Sequence, residues 1–319
     1  WRGRLLFGDK EQTLPAGKSP KGIELVGAVE EIDLNAWFDL LKSDRMVRKG
    51  EGERFTVGRL LLHADRAELF GQQLESMMLS VTRGQEGQYQ LQVSSDQMKG
   101  SLLLQEDPQL PLVVDLDHLE LGKAEPDESE VAGQEAEPTS INIEVDPSQF
   151  PAVELSSQKT RINGIDFGTL QLKTHPTKNG LFVDDATLES EVMRVSAQGS
   201  WMQREGQPIS KFNIRVVGDE LGKILSLFGY SGEIDRGDAS IHIKAEWPDR
   251  PTGFSLNHMK GELEVSVEKG QLRDVDQGIG RVFGLLGIHT LVRRLTLDFS
   301  DITDEGFPFD AIHGTFSVE

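Results

Sequence analysis

The sequence contains no cysteine, and this absence excludes three kinds of chemistry. A chain without thiols has no disulfide framework, no thiolate zinc site and no cysteine nucleophile. The sequence also lacks a run of about 20 consecutive apolar residues, so no segment is predicted to cross a membrane as a helix. Residue 1 is Trp rather than Met, and no basic and apolar leader segment opens the chain. We therefore expect a fragment of a longer chain, with any membrane anchor outside it.

Positive charge is scarce. The 319 residues include 33 Lys and Arg against 53 Asp and Glu, which gives a formal net charge of −20. Nucleic acid is therefore a poor partner, because binding to phosphates needs clustered cations. Adsorption on an anionic bilayer surface is disfavoured for the same reason. Apolar residues make up only 37% of the chain, which favours sheets with one face in water over thick layered cores.

Recognisable catalytic motifs are absent as well. The seven His residues are scattered without the spacing of a metal site, and no GxSxG motif occurs. Asp115 and Asp117 share a strand face and could act as a carboxylate pair in acid–base chemistry. A solvated polar face of an alternating strand explains the pair more simply. The sequence predicts no enzyme, no metal site and no cofactor.

Alternation of apolar and polar residues is the dominant pattern. Such alternation predicts strands with one apolar and one wet face. Because no helical segment between them is long enough for a parallel crossover, the economical arrangement is an antiparallel meander. The clearest segments are Leu60 to Ala64, Met77 to Val81, Tyr89 to Val93, Leu112 to Leu116, Phe212 to Val216, Ile241 to Trp247, Leu263 to Val267 and Leu295 to Phe299.

Three short amphipathic helices interrupt the strands. Asp33 and Asp219 are predicted to cap helices over Leu34 to Leu41 and Leu221 to Phe228, because Asp is a favoured N-cap residue. A third helix is predicted over Gln277 to Leu291. Glycines inside this third segment cost helix stability and are tolerable only where the helix packs closely on another surface. Its apolar face carries Ile279, Val282, Phe283 and Leu286.

Residues 123–140 form one acidic, low-complexity stretch that is predicted to be a disordered loop or linker. A loop is favoured, because a strand pattern resumes at Ile141. An internal repeat supports the same choice: Leu69, Leu74 and Met77 recur at matching spacing as Ile162, Phe167 and Leu170. The sequence therefore predicts one continuous β array over residues 1–319.

Specific strings near the C-terminus resemble a known family. Arg293-Arg294-Leu295-Thr296-Leu297-Asp298-Phe299-Ser300-Asp301, Gly306-Phe307-Pro308-Phe309-Asp310-Ala311-Ile312-His313-Gly314 and Gly270-Gln271-Leu272-Arg273-Asp274-Val275 are similar to the AsmA-like C-terminal region of YhdP-type proteins. That family groups with AsmA and TamB among the bridge-like lipid transfer proteins of Gram-negative envelopes. The resemblance implies a long curled antiparallel sheet, U-shaped in section, whose inner wall is a hydrophobic groove.

The resemblance also implies a function and a location. We expect phospholipids to move between the inner and outer membranes with their acyl chains in the groove. The chain would be the periplasmic part of a protein anchored in the inner membrane, with a possible outer-membrane contact. On this hypothesis the helix face described above is associated with the groove. The residues expected to line the groove are Leu60, Leu62, Leu91, Val93, Leu112, Val114, Ile241, Ile243, Val265, Leu295 and Leu297.

Two other functions remain open at this stage. The chain could be a non-enzymatic β scaffold, packed by its own helices, that assists outer-membrane assembly or envelope integrity. It could also be a β-helical or sandwich carbohydrate-active enzyme, although that function needs converging carboxylates. Lipid that co-purifies with the protein would support lipid transport. A rigid protein without bound lipid would support the scaffold, and glycan turnover would support the enzyme.

Overall fold

A single β-sheet dominates the computed structural model, which describes residues 2–8, 22–35, 57–69, 72–84, 88–105, 107, 109–122, 146–228, 234–254, 258–272 and 307–318. Fifteen strands in this part of the chain form one sheet, and their order in the sheet is their order in the chain. This confirms the predicted fold class, a mainly β chain with few short helices. The strands are β1 (Arg2–Phe7), β2 (Gly22–Asp33), β3 (Val57–Leu69), β4 (Gln72–Arg83), β5 (Tyr89–Ser94), β6 (Met98–Leu104), β7 (Leu112–Leu121), β8 (Val153–Ile162), β9 (Ile165–Thr177), β10 (Gly180–Glu189), β11 (Arg194–Arg204), β12 (Gln207–Gly218), β13 (Ile234–Pro248), β14 (Lys260–Leu272) and β15 (Phe307–Val318).

Strand pairing is mostly antiparallel, as the alternating pattern and short turns predict. Three neighbouring pairs differ: β1 with β2, β2 with β3, and β7 with β8 are parallel. Parallel neighbours need a connection that returns the chain to the same end of the sheet. The segments between these strands are long, for example residues 122–152 between β7 and β8, and supply the length that such a return needs.

The chain divides into two compact units. The first contains Trp1–Gly164 and Gln171–Pro176, and the second contains Ile165–Leu170 and Thr177–Glu319. In the first unit the most deeply buried apolar side chains include Ala64 and Met77, both 0% exposed. In the second unit Trp247 and Met259 are each 2% exposed. Each unit therefore has a core of its own.

Within the described residues, one complete α-helix is present, and this helix, α1, covers Leu221–Leu227. The sequence predicted it one residue longer and capped by Asp219. Instead Glu220 occupies the N-cap position, and its side chain makes no capping hydrogen bond. Short 3₁₀ turns occur at Pro147–Gln149 and Pro251–Gly253. Among the described residues, no helix has the length and apolar character to traverse a bilayer.

At the start of the first predicted helix, Asp33 Oδ1 accepts a hydrogen bond of 2.8 Å from the Asn35 backbone N–H, as an N-cap residue does. Most of that helix lies outside the described residues. The predicted helix over Gln277 to Leu291, the strand beginning at Leu295 and the acidic segment 123–140 lie outside them too.

Strict alternation is interrupted at several points where two buried residues stand three positions apart. Leu74 and Met77 are one such pair in β4, and the intervening Ser76 has a positive φ of 53°. Leu116 and Leu119 are a second pair in β7, next to a register shift between Lys99 and Gly100 in β6. Irregularities of this kind redirect side chains and bend the strand. Here they keep apolar residues on one face of the sheet.

Candidate functional site

The strand register assembles apolar residues into continuous rows that cross the sheet from strand to strand. Directly paired residues of neighbouring strands point to the same face. In the first unit one such row contains a single aliphatic residue from each of eight consecutive strands, and we name it the first apolar row. Its members are Leu5, Leu25, Leu60, Val81, Leu91, Leu102, Val114 and Leu155.

The second unit repeats the arrangement over six consecutive strands. We name this set of paired residues the second apolar row, and the sheet face that carries either row the apolar face of its unit. A further row of paired residues lies on each side of it on the same face. One of these rows runs from Leu188 through Val216 to Val265. The members of the second apolar row are Ala186, Ala197, Ile214, Ile243, Leu263 and Phe316.

Most members of the two rows are half-buried, and five of the fourteen are buried. Leu60 and Val114 in the first row are 6% and 5% exposed, and Leu263 in the second is 6% exposed. Leu5, in the first strand, is 53% exposed. All fifteen strands of the described chain belong to one sheet, so no separate second sheet covers these faces.

In the second unit the opposite face is polar and largely exposed. In the second unit one row of paired residues on that face contains Ser196, Arg215, His242, Glu264 and Thr315. His242 Nδ1 lies 3.6 Å from Glu264 Oε2. Exposed polar contacts of this kind contribute little to stability. The main effect of this face is therefore to keep one side of the sheet in water. The two faces of the second unit therefore differ sharply in polarity.

Helix α1 packs on one end of the apolar face of the second unit. Leu221 and Ile224 form a buried cluster with Met193, Ala239 and Val267. Val216 and Val265 are partly buried against the same cluster. Ala239 and Val267 are directly paired residues on the apolar face, so the helix covers part of that face.

Aromatic residues close the other end of the same face. Trp247 stacks on Phe212 with ring centroids 5.5 Å apart, and it meets Phe254 edge to face at 5.1 Å. The indole N–H of Trp247 donates a hydrogen bond of 3.1 Å to the Arg250 carbonyl oxygen, so this buried polar group is satisfied. The second apolar row thus lies between a helix and an aromatic cluster.

The structure places nine of the eleven predicted lining residues on the apolar face of their unit. Leu91, Ile241 and Val265 are half-buried, and the other six are buried. Contact of these residues with lipid stays a prediction. Leu295 and Leu297 lie outside the described residues, as do the helix positions Ile279, Val282, Phe283 and Leu286. The nine residues are Leu60, Leu62, Leu91, Val93, Leu112, Val114, Ile241, Ile243 and Val265.

The carboxylate pair considered from the sequence lies on the polar face. Asp115 and Asp117 are both exposed, and the Ser156 hydroxyl donates a hydrogen bond to Asp115 Oδ1. Within the described ranges, no group of three His, Asp or Glu side chains is arranged to hold a metal ion. The exposure of both carboxylates is what a solvated strand face predicts.

Sequence reasoning missed two features of the apolar face. It did not identify the cluster formed by Met193 and α1, because Met193 lies in a turn with no periodic pattern. It also missed two buried hydroxyl residues, Ser157 and Thr160 in β8, which are 2% and 0% exposed. Ser157 and Thr160 stand three positions apart, so a strict alternation of two cannot assign both to one face.

Comparisons with known proteins identify relatives of the chain. The family model described as "YhdP protein" matches residues 2–319. The chain is also similar to the "Intermembrane phospholipid transporter YhdP" of Escherichia coli (strain K12), with 22% identity over 167 residues. That match covers 52% of this chain and 13% of the relative, so it spans a small part of the relative's length. No solved structure matches the chain.

Proposed function

Because the chain belongs to the YhdP protein family, we propose that it binds phospholipids and conducts their acyl chains along the apolar rows. The rows carry this proposal, since they offer apolar contact from strand to strand without a polar interruption. The similarity to a protein named as an intermembrane phospholipid transporter supports phospholipid as the ligand. The proposal includes one continuous β array over residues 1–319 that forms a hydrophobic groove.

The energetics of the rows suit transport better than tight binding. Each buried methylene contributes about 0.8 kcal/mol, and this contribution does not depend on the identity of the neighbouring aliphatic side chain. Neighbouring strands lie about 4.8 Å apart, so an acyl chain along a row contacts several strands in turn. Leu, Val and Ile at successive positions give similar contact energies, and no single position holds the chain strongly.

The polar face and the acidic composition fit the same function. A phospholipid keeps its charged headgroup in water, because removing an ionised group from water is costly. We propose that the headgroup stays outside the row while the acyl chains lie against it. On this proposal the chain is a periplasmic part of an envelope protein, with an inner-membrane anchor elsewhere in the longer protein and a possible contact at the outer membrane.

The test uses neighbouring residues of one strand that point to opposite faces. A photo-crosslinking amino acid is placed at Leu91 or Ile243 on the apolar face, and at Gln92 or Lys244 on the polar face. The proteins are illuminated in cells, and adducts are identified by mass spectrometry after lipid extraction. We expect phospholipid adducts at Leu91 and Ile243 and only background at Gln92 and Lys244.

Two outcomes would contradict the proposal. Equal adduct yields on both faces would mean that lipid only coats the protein. A folded protein that carries no lipid in native mass spectrometry, and forms no adduct at Leu91 or Ile243, would favour the packed scaffold instead. In that case the burial of the apolar face would be structural only.

A further inference from the structure

A cavity of about 410 Å³ opens at the strand ends beside helix α1. Its walls come from the end of β10, residues 190–193, the start of β11, the end of β12 and the first turn of α1. The volume lies within the usual range for small-ligand sites. Glu191 and Asp219 in its walls are exposed, so a ligand can enter this cavity from water.

The cavity adjoins an apolar row of the second unit, which we name the rim row. Arg194 and Val217, which are directly paired, line the cavity. One position along the same strands lie Val195 and Val216, two half-buried members of the rim row. Both pack against the cluster that contains Met193, another residue of the cavity wall. An acyl chain on the rim row therefore passes beside the cavity. The members of the rim row are Leu188, Val195, Val216, Ile241 and Val265.

Two cations line the cavity, and both are within reach of a ligand. Arg194 forms an ion pair with Glu189, and Lys223 Nζ lies 2.7 Å from Glu220 Oε1. The Arg194 and Lys223 side chains are 55% and 60% exposed. A guanidinium has five N–H donors and an ammonium has three. Each cation can therefore bind a phosphate oxygen while it stays paired with its carboxylate.

The cavity nevertheless has an excess of negative charge. Glu191 and Asp219 also line it, and neither forms an ion pair with the residues that the structure describes. Its four carboxylates and two cations give a net charge of −2. A ligand with only negative charge is disfavoured by this excess, whereas a ligand that carries a cation next to its phosphate compensates it.

We propose that this cavity binds the headgroup of an amine-bearing zwitterionic phospholipid, of the phosphoethanolamine class, while an acyl chain lies on the rim row. This inference rests on the proposed function. The ammonium group donates hydrogen bonds to Glu191 and Asp219, and the phosphate accepts hydrogen bonds from Arg194 and Lys223. Because the cavity is open to water, the headgroup keeps part of its hydration and avoids the cost of burying its charges.

The same chemistry distinguishes this headgroup from two others. The quaternary ammonium of choline has no N–H donor, and its methyl groups hold a carboxylate farther from the positive charge. A glycerol headgroup carries no cation, so its phosphate meets the excess negative charge without compensation. Lipids with identical acyl chains make the same contacts with the rim row. The headgroup therefore determines which of them is preferred.

The test offers the full 319-residue chain three lipids that share the same acyl chains. Vesicles contain phosphatidylethanolamine, phosphatidylcholine and phosphatidylglycerol in equal amounts, and a photo-crosslinking amino acid at Ile241 captures the lipid on the rim row. Mass spectrometry assigns each adduct to a headgroup. We expect phosphatidylethanolamine adducts to exceed each of the others about three- to tenfold, because two exposed ion pairs contribute up to about fivefold each.

Two double variants locate the origin of the preference. Glu191→Gln with Asp219→Asn removes the excess negative charge of the cavity and should bring the three adduct yields to similar values. Glu262→Gln with Glu268→Gln removes the same charge from exposed positions of β14 outside the cavity walls and should keep the preference. All four residues are exposed, so neither double variant should change the melting temperature appreciably.

The outcomes separate the inference from the proposed function. If the wild type yields the three adducts equally, the inference is overturned while the lipid-binding function stands. The inference is also overturned if Glu191→Gln with Asp219→Asn keeps the preference, because the amine would then bind elsewhere. Loss of the preference in Glu262→Gln with Glu268→Gln would overturn it too, since net charge rather than the cavity would be responsible. If no lipid is captured, the proposed function fails and the inference falls with it.

Discussion

Helix α1 provides a test of how the apolar face is covered. Seven residues are too few for a helix to be stable in water on its own, and this helix has no side-chain N-cap. Its stability must come from packing, and Leu221 and Ile224 make that contact at 5% and 3% exposure. Replacing Ile224 with Ala should therefore release the helix from the sheet.

The size of the effect follows from the atoms removed. Ile224→Ala deletes three buried carbon atoms, each worth about 0.8 kcal/mol of transfer free energy, and leaves a cavity against Ala239 and Val267. The expected loss is about 2–4 kcal/mol, within the range for such core truncations. If this loss of stability affects only the helix, the protection of its amides against hydrogen exchange should fall roughly 30- to 700-fold, because each 1.4 kcal/mol changes an equilibrium constant tenfold.

Hydrogen exchange read by mass spectrometry measures this directly. Peptides that cover α1 should exchange faster in the variant, while peptides from the paired strands β13 and β14 keep their protection. Lys223→Ala is the matched control in the same helix, because the Lys223 side chain is 60% exposed and pairs with the exposed Glu220 carboxylate. It should change protection by less than about 0.5 kcal/mol, as exposed ion pairs are weak.

A functional readout accompanies the structural one. Val265 is partly buried against the helix cluster, so release of the helix should expose it. A photo-crosslinker at Val265 should then capture more phospholipid in Ile224→Ala than in the wild type. Unchanged helix protection in Ile224→Ala would refute the reasoning, and so would simultaneous unfolding of helix and strands, because either result would mean that α1 is not a separately held cover.

Two further predictions concern the sheet. Gly168 (φ +73°) and Gly164 (φ +81°) both have a left-handed backbone. A Cβ atom added at Gly168 would lie 2.1 Å from the Glu189 carbonyl oxygen. A Cβ atom added at Gly164 would meet no atom within 4 Å. Gly164→Ala should cost about 1–2 kcal/mol in urea unfolding and Gly168→Ala clearly more; equal costs would show that crowding at Gly168 is relieved. Leu62→Ala, at a residue 3% exposed on the apolar face, should cost about 3–5 kcal/mol, well above Leu61→Ala on the half-buried opposite face. A larger cost at Leu61 would reverse the assignment of the faces.

Much of the fold could be predicted from residue alternation. The period of two identified β3, β5 and β12 and placed Leu62 and Ile243 on the apolar side, because burial of one sheet face imposes that period. The pattern did not single out β6 or β11. In β6 the Gly100-Ser101 pair breaks the alternation, and β11 carries small residues such as Ala197 and Gly199 on its apolar face.

Other features depend on long-range pairing and could not be predicted from local pattern. The parallel pairing of β7 with β8 depends on where the chain returns after residues 122–152, which no short-range signal specifies. The N-cap of α1 differs from the prediction: Asp219 is a favourable cap residue, but Glu220 occupies the N-cap position without a capping hydrogen bond, and packing stabilises the helix instead. Thr160 escaped notice because an interruption in the strand, rather than its periodic position, turns it toward the apolar face.

Because strand order in the sheet equals strand order in the chain, each strand pairs with the strands synthesised just before and just after it. Contacts between neighbours in sequence form quickly, and such an array can grow one strand at a time as the chain emerges. Stability in linear arrays of this kind is approximately a sum of local terms and nearest-neighbour terms. A damaging substitution in β5 should therefore weaken β4 and β6 most and leave β13 nearly unaffected. Sequence variation can then accumulate in one section of the array without loss of the sections beyond it.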